Sequence, residues 1–279
     1  MTSVVAEIGI IGGSGFYSFF HDAERVEVDT PFGPPSGAVT VGEVAGRRVA
    51  FLPRHGERHQ YTPHRVNYRA NLWALKALGV TQVLGPCAVG SLQPHLTPGT
   101  FVVPDQVVDR TYRSGHTVWE AEGPVVHVPF ADPYCARGRA AVLGQATDDT
   151  PLVDGGTLVV INGPRFSSRA ESRWHSAAGW SVVGMTGMPE ASCARELAMC
   201  FTSVACVTDM DAGLEGEEGV SHADVLEVFA GNVERLKALL LRTIQHLPTG
   251  DCPCRRVLDG MPLPFPLPDV GAGVRVVAG

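Results

Sequence analysis

Short apolar runs of strand length alternate with stretches of helical period along nearly the whole chain, and this alternation restricts it to an α/β sheet. The strand-like runs cover residues 8–11, 49–52, 80–84, 100–103, 157–161, 180–183 and 203–207. Helical patterns cover 64–78, 134–145, 168–178, 189–199 and 221–246. In the last, Ser221 is a good N-cap with Asp224 three residues on. Val225, Phe229, Val233, Leu236, Leu240, Ile244 and Leu247 then repeat at steps of three and four, so one face is buried. The expected fold is a single α/β domain over 1–247, with a central mixed, largely parallel twisted sheet flanked by helices. From Pro248 the prolines exclude long regular structure, so 248–279 reads as an arm.

Composition narrows the function. At 44% apolar and 18% charged, the 279 residues can bury a sizeable core. No apolar run reaches membrane-spanning length, and the N-terminus lacks a secretion-signal pattern. A net charge of -7 argues against a general nucleic-acid surface. The expectation is a cytoplasmic protein with no membrane or nucleic-acid partner, in which any anion site is a local pocket. Cys87, Cys135, Cys193, Cys200 and Cys206 lie in apolar surroundings and read as buried thiols. Cys252-Pro253-Cys254 reads as two arm thiols of no special role, a redox pair being the alternative. With that short spacing and no second pair nearby in sequence, no metal site is expected.

Nearly every candidate strand runs into a Gly-rich or polar turn. Ligands of open α/β sheets bind outside the carboxyl ends of the strands, so these turns are expected to converge on one crevice. Gly12-Gly13-Ser14-Gly15 can cradle phosphate through backbone N–H groups and the Ser14 hydroxyl. It equally reads as a plain tight turn. The third glycine of a dinucleotide fingerprint is replaced by Ser18, which weakens a nicotinamide-binding reading.

Arg54 and His55 end the second run, with Arg58 and His59 following. A guanidinium fork matches two phosphate oxygens. The turn at Cys87–Ala88 can add N–H donors, and Thr186 a hydroxyl. A solvated basic turn is the bland alternative. Asp209 and Asp211 end the last strand and would share a face if it continued through them. Burial and mutual repulsion would raise a pKa, giving a proton donor near neutral pH; an Asp-rich turn is the alternative. Phe166 offers a stacking platform for a planar base beside the Ser167 and Ser168 hydroxyls, unless it is core and the serines are helix caps. His127, and His222 at a helix start, stand out among the histidines. An acid facing an anion pocket suits bond cleavage by anion attack with protonation of the leaving group.

These segments, together with IGIIGGSGFY, PDQVVDRT, VINGPRFSSRAES, MTGMPEA and VTDMDAG, resemble the trimeric purine nucleoside phosphorylase family from about Ile8 to about Leu247. The 5′-methylthioadenosine phosphorylase branch is the most similar. The resemblance implies a nucleoside phosphorylase-like fold. Phosphate would attack C1′ of a purine nucleoside, giving free base and a pentose 1-phosphate, with phosphate as cosubstrate and no cofactor. Ser14, Arg54, His55, Cys87, Ala88 and Thr186 match phosphate-site positions. Met185 matches the residue against the ribose, and Phe166, Ser167, Asp209 and Asp211 the base site. His59, His222 and Val225 fall among the substrate-facing positions. His127 matches a residue that reaches a neighbouring subunit's site, implying a homotrimer with shared sites. Leu267, in the arm, is the expected contact over a neighbour's 5′ pocket. The two Asp residues favour adenine over 6-oxopurines, and Asp209 would protonate N7.

His222 replaces a small apolar residue, Cys87 a hydroxyl residue, and Gly184 an Asn. The expected substrate is therefore methylthioadenosine or a related 5′-modified adenosine. The alternatives are adenosine or inosine, a 5′-deoxy-5′-halo-adenosine, or a module that binds nucleosides without turnover.

Overall fold

A computed structural model describes residues 5–13, 20, 23–212 and 222–277, with only the backbone of 222–224 and 226. The near-continuous apolar run at β1 (Ile8–Gly12) is buried on both faces, as expected for a central parallel strand. It lies parallel to β4 (Arg47–Pro53) and to β5 (Gln82–Ser91). Before them come β2 (Ala23–Val28) and β3 (Val39–Val44), joined antiparallel to each other and to β4. Their alternating valines are visible in the sequence, although the run reading passed over them.

Helix α1 (Tyr68–Ala77) is N-capped by the Asn67 side chain. Next are β6 (Phe101–Val103) and β7 (Gln106–Arg110), then α2 (Ala136–Leu143), β8 (Leu152–Asp154) and β9 (Thr157–Ile161). Ser168 begins α3 (Arg169–Ala177) with a capping box to Glu171. The remaining elements are β10 (Val182–Gly184), α4 (Gly187–Glu196), β11 (Cys200–Asp209), α5 (His222–His246) and β12 (Val274–Val277). The strands run in the order β12-β2-β3-β4-β1-β5-β10-β9-β7, and β11 branches from β5.

Side-chain alternation on the central strands divides the core in two. Ile11 and Leu52 pack with Leu72, Leu75 and Ala191 on the α1/α4 face. Ile8, Ile10 and Phe51 pack with Leu236, Leu240 and Ile244 of α5 on the other. The predicted α5 face is thus fully buried in its second half, while Val225 and Phe229 are half-buried.

Residues 248–279 were expected to form an arm lying on a neighbouring subunit. In the structure the arm packs on its own chain. Leu258, Leu263, Phe265 and Leu267 lie against the main core, Phe265 meets Trp119 at 5.1 Å between ring centroids, and β12 pairs with β2. Among the described residues, no helix is long and apolar enough to cross a membrane.

Candidate active site

The crevice starts where β5 parts from its neighbours. It pairs with β1 only from Gln82 to Leu84, and with β10, antiparallel, only at Gly90 and Ser91. Along the other edge it stays paired with β11. Such a fork leaves carbonyls without ladder partners and opens space for a ligand. Ala88 is the one exposed residue of this otherwise buried strand. The expectation that all carboxyl ends share one edge therefore needs correction. β9 and β10 run antiparallel to β5 and enter the fork from the opposite direction. Cys87 and Ala88, expected in a turn, lie within β5 itself.

Arg54 fills the fork. Its backbone N–H donates to the Gly12 carbonyl at 2.9 Å. Nη1 donates to the Pro86 carbonyl at 3.0 Å and Nη2 to that of Ile11 at 2.9 Å. Glu190, on α4, receives Nε at 2.5 Å and Nη2 at 3.0 Å. Both residues are almost fully buried. Burial opposes the Arg54 charge, and the Glu190 carboxylate more than offsets this, holding its pKa above the ordinary value. The predicted bidentate fork toward phosphate is therefore already taken. Of the five guanidinium N–H groups, one on Nη1 has no partner among the described residues. Glu190 itself was missed. Its only signal is an acid inside the small, apolar helix stretch that follows Met188-Pro189.

His55 is half-buried, and its Nδ1 donates to the Tyr61 carbonyl at 2.8 Å. Burial, then the Arg54 charge, lowers its pKa to about 4. At neutral pH the ring is uncharged and Nε2 carries a lone pair. His59 is exposed and stacks on His55 with centroids 4.5 Å apart. Thr186 is buried at the start of α4, and its side chain makes no capping bond there. Just before it, Gly184 lies against Val89 and the Ala88 carbonyl: a Cβ there would sit 3.2 and 3.9 Å from them. The phosphate-site candidates Arg54, His55, Cys87, Ala88 and Thr186 are thereby gathered around one fork. Cys87 is buried with Sγ 3.7 Å from Ser203 Oγ, and burial pushes its pKa up, so it remains a thiol. Ser14 lies outside the described residues.

Four residues further along β5, Gly90 pairs with Asp209 across a register shift in β11. The Asp209 carboxylate accepts from Thr208 Oγ1 at 2.8 Å and from the Asp211 N–H at 3.0 Å. Burial nevertheless raises its pKa above the usual carboxylate range, and the Asp211 charge adds to this. Asp211 does not share its strand face, because β11 ends at Asp209 and Asp211 takes φ of 45°. Its carboxylate is buried on the Ser172 hydroxyl of α3.

The loop after β9 divides its hydroxyls. Ser168 caps α3, whereas the buried Ser167 Oγ has no partner among the described residues. This unpartnered buried hydroxyl follows half-buried Phe166 directly in the chain. Met185 is half-buried, and its sulfur fills the space over Gly163: a Cβ there would lie 2.6 Å from Sδ. Arg113, not foreseen from sequence, ties these loops together through the carbonyls of Asn162 at 2.9 Å, Met185 at 2.6 Å and Met188 at 2.9 Å. It sits in a long irregular segment where one basic residue gives no distinctive signal.

His127 is exposed in that same irregular segment, away from any helix or strand. Val225 is half-buried on α5, and the His222 side chain, with the Ser221–Asp224 capping pair, lies outside the described residues. Leu267 is half-buried against the chain's own core.

A buried guanidinium fork with an acid of raised pKa on the neighbouring strand suits group transfer to phosphate, and known proteins resemble the chain in sequence and fold. The family model described as the phosphorylase superfamily matches residues 7–245. A purine nucleoside phosphorylase of Streptomyces coelicolor is 59% identical over 95% of this chain and 99% of its own length. An S-methyl-5′-thioadenosine phosphorylase of Mycobacterium tuberculosis is 54% identical over 94% of this chain and 97% of its own. Among solved structures, a methylthioadenosine phosphorylase of Schistosoma mansoni in complex with adenine is 40% identical, with a TM-score of 0.81 over 86% of this chain and 91% of that one. Fold, fork and relatives agree that the chain belongs to the phosphorylase superfamily.

Proposed function

We propose that the chain catalyses phosphorolysis of S-methyl-5′-thioadenosine, or a related 5′-modified adenosine, to adenine and a 5-modified ribose 1-phosphate. The observation that carries this is the position of Asp209, a half-buried acid with a raised pKa, on the strand paired beside the fork that Arg54 fills. The Arg54 contact at Pro86 and the Asp209 partner at Gly90 are four residues apart, about 13 Å along the strand. That span accommodates a phosphate, a pentose and the near edge of a purine.

Phosphate sits against the remaining Arg54 N–H, neutral His55 and the Thr186 hydroxyl, beside the backbone at Cys87–Ala88, and the resemblance adds Ser14 to this set. His55 Nε2 accepts a hydrogen bond from a protonated phosphate oxygen. A phosphate oxygen bonds to C1′ as the C1′–N9 bond breaks, and the bonding pair leaves with the base. Asp209 gives its proton to N7, so adenine departs neutral. The anion below stabilises the oxocarbenium character of the sugar. Met185 packs against the ribose, Phe166 and Ser167 hold the base, and Asp211 favours the 6-amino group through its fixed carboxylate. The resemblance assigns His222 and Val225 to the 5′ side and puts His59 among the substrate-facing positions. The exposure of His127 is consistent with the resemblance, in which this residue reaches a neighbouring subunit's site in a homotrimer with shared sites.

The 59% identity to a relative named purine nucleoside phosphorylase favours a second reading, with adenosine or inosine as substrate. Release of free base is measured with and without phosphate for methylthioadenosine, adenosine, inosine and a 5′-halo-adenosine. The first reading expects phosphate-dependent adenine release with the highest kcat/KM on a 5′-modified adenosine. A preference for inosine supports the second, and phosphate-independent or absent release contradicts both.

A further inference from the structure

Three separate stretches of chain bring four thiols together at the start of β11, the end of the strand opposite Asp209. Cys135 caps the start of α2, Cys200 opens β11, and Cys252 and Cys254 flank Pro253 in a 3-10 turn of the arm. All four are buried, and their sulfurs lie within 4.8 Å of one another. Spacing alone hid this, because 65 residues separate Cys135 from Cys200 and 52 more separate Cys200 from Cys252.

The geometry discriminates between chemistries. A tetrahedral zinc tetrathiolate, with Zn–S of about 2.3 Å, has S···S edges of about 3.8 Å. The Cys135–Cys252 separation is 3.7 Å. A disulfide needs about 2.05 Å and would set the sulfurs in two pairs, whereas here all four are free and mutually close. The surroundings also fit an anionic complex. Arg137 and Arg255 line a cavity of about 50 Å³ beside Cys135, Cys200 and Cys252. Both guanidiniums are tied to carbonyls of the 249–251 loop. They hold positive charge beside the cluster, where it offsets the charge of a tetrathiolate.

We propose that Cys135, Cys200, Cys252 and Cys254 form a structural tetrathiolate site for a soft divalent cation, zinc. The expectation of no metal is revised accordingly. The four thiols give up their protons as the cation enters, and no electron transfer is involved. The site clamps the arm to the first residue of β11, the strand that ends at Asp209. With all four positions taken by protein it leaves none for substrate, so it acts on stability rather than catalysis.

The test uses the full chain without a metal-affinity tag, purified under reductant and analysed by elemental mass spectrometry. About one zinc per chain is expected. Exchange with cobalt(II) should give the intense visible bands of tetrahedral cobalt thiolate. Cys252→Ser/Cys254→Ser should lose both the zinc and the bands, keep kcat within about twofold, and lower Tm by about 5 °C or more. Two results overturn the proposal. One is a reduced chain that retains no zinc after equilibration with it. The other is a metal-free chain with three titratable thiols in denaturant instead of seven, which would mean two disulfides among the four.

Discussion

Arg54 and Glu190 form a buried two-point ion pair, Nε to Oε1 at 2.5 Å and Nη2 to Oε2 at 3.0 Å, at the place where β1 and β5 separate. The pair neutralises a guanidinium that also holds the Ile11 and Pro86 carbonyls, so Arg54 braces the sheet and keeps one Nη1 hydrogen for the proposed phosphate. Removing one partner of such a pair costs about 3–5 kcal/mol, because the other charge stays buried. Glu190→Gln is therefore expected to lower stability by about that amount. In the remaining folded enzyme, Arg54 gains freedom toward phosphate and KM for phosphate falls relative to kcat. Denaturant melts and phosphate titrations read the two effects separately. An unchanged melt would show that the pair carries little.

His55 provides a pH test. Its folded pKa, about 4, lies below the unfolded value of about 6.5. The unfolded chain thus binds the extra proton between these values, and the His55 contribution to stability is complete above about 6.5 and lost as pH falls toward 4. His55→Gln should flatten the decline in Tm over that window. The wild-type kcat/KM should show no inflection near pH 6.5 from His55, its loss appearing only as pH approaches 4. An inflection near 6.5 that His55→Gln abolishes would contradict a neutral, buried ring.

Gly90 leaves room for the acid. A Cβ at this position would lie 2.7 Å from Asp209 Oδ1, 3.2 Å from Asp211 Cβ and 3.3 Å from Val183 Cγ1. Gly90→Ala should push the carboxylate away and reduce kcat by about 10²-fold, the scale at which misplaced catalytic groups lose rate. Substrate binding should weaken much less. Unchanged kcat would mean that Asp209 tolerates displacement and is not the positioned donor.

Much of this was legible in the sequence, for local reasons. Continuous apolar runs marked the buried parallel strands, and three- and four-residue spacing marked α5. The N-capping role of Ser168 was visible as one reading of its loop. What escaped depends on pairing between distant segments. The reach of β5 through Cys87 and Ala88 follows from its pairing with β11 from Gln82 to Gly90. The antiparallel entry of β10 cannot be inferred from a three-residue strand. Glu190 and Arg113 act through contacts with segments far from them in the chain, as do Cys135 and Cys200. Asp211 illustrates the reverse. Its spacing implied a shared strand face, but a positive φ immediately after β11 turned it onto Ser172.

Proton delivery from Asp209 to the departing base can be probed by removing the need for that proton. Asp209→Ala should lower kcat on an ordinary adenosine-type substrate by about 10²–10⁴-fold, the usual contribution of a positioned acid. A nucleoside already methylated at N7 carries its positive charge before reaction and leaves without protonation. On that substrate wild type and Asp209→Ala should differ by less than about tenfold. An equally large loss on both substrates would contradict proton donation by Asp209.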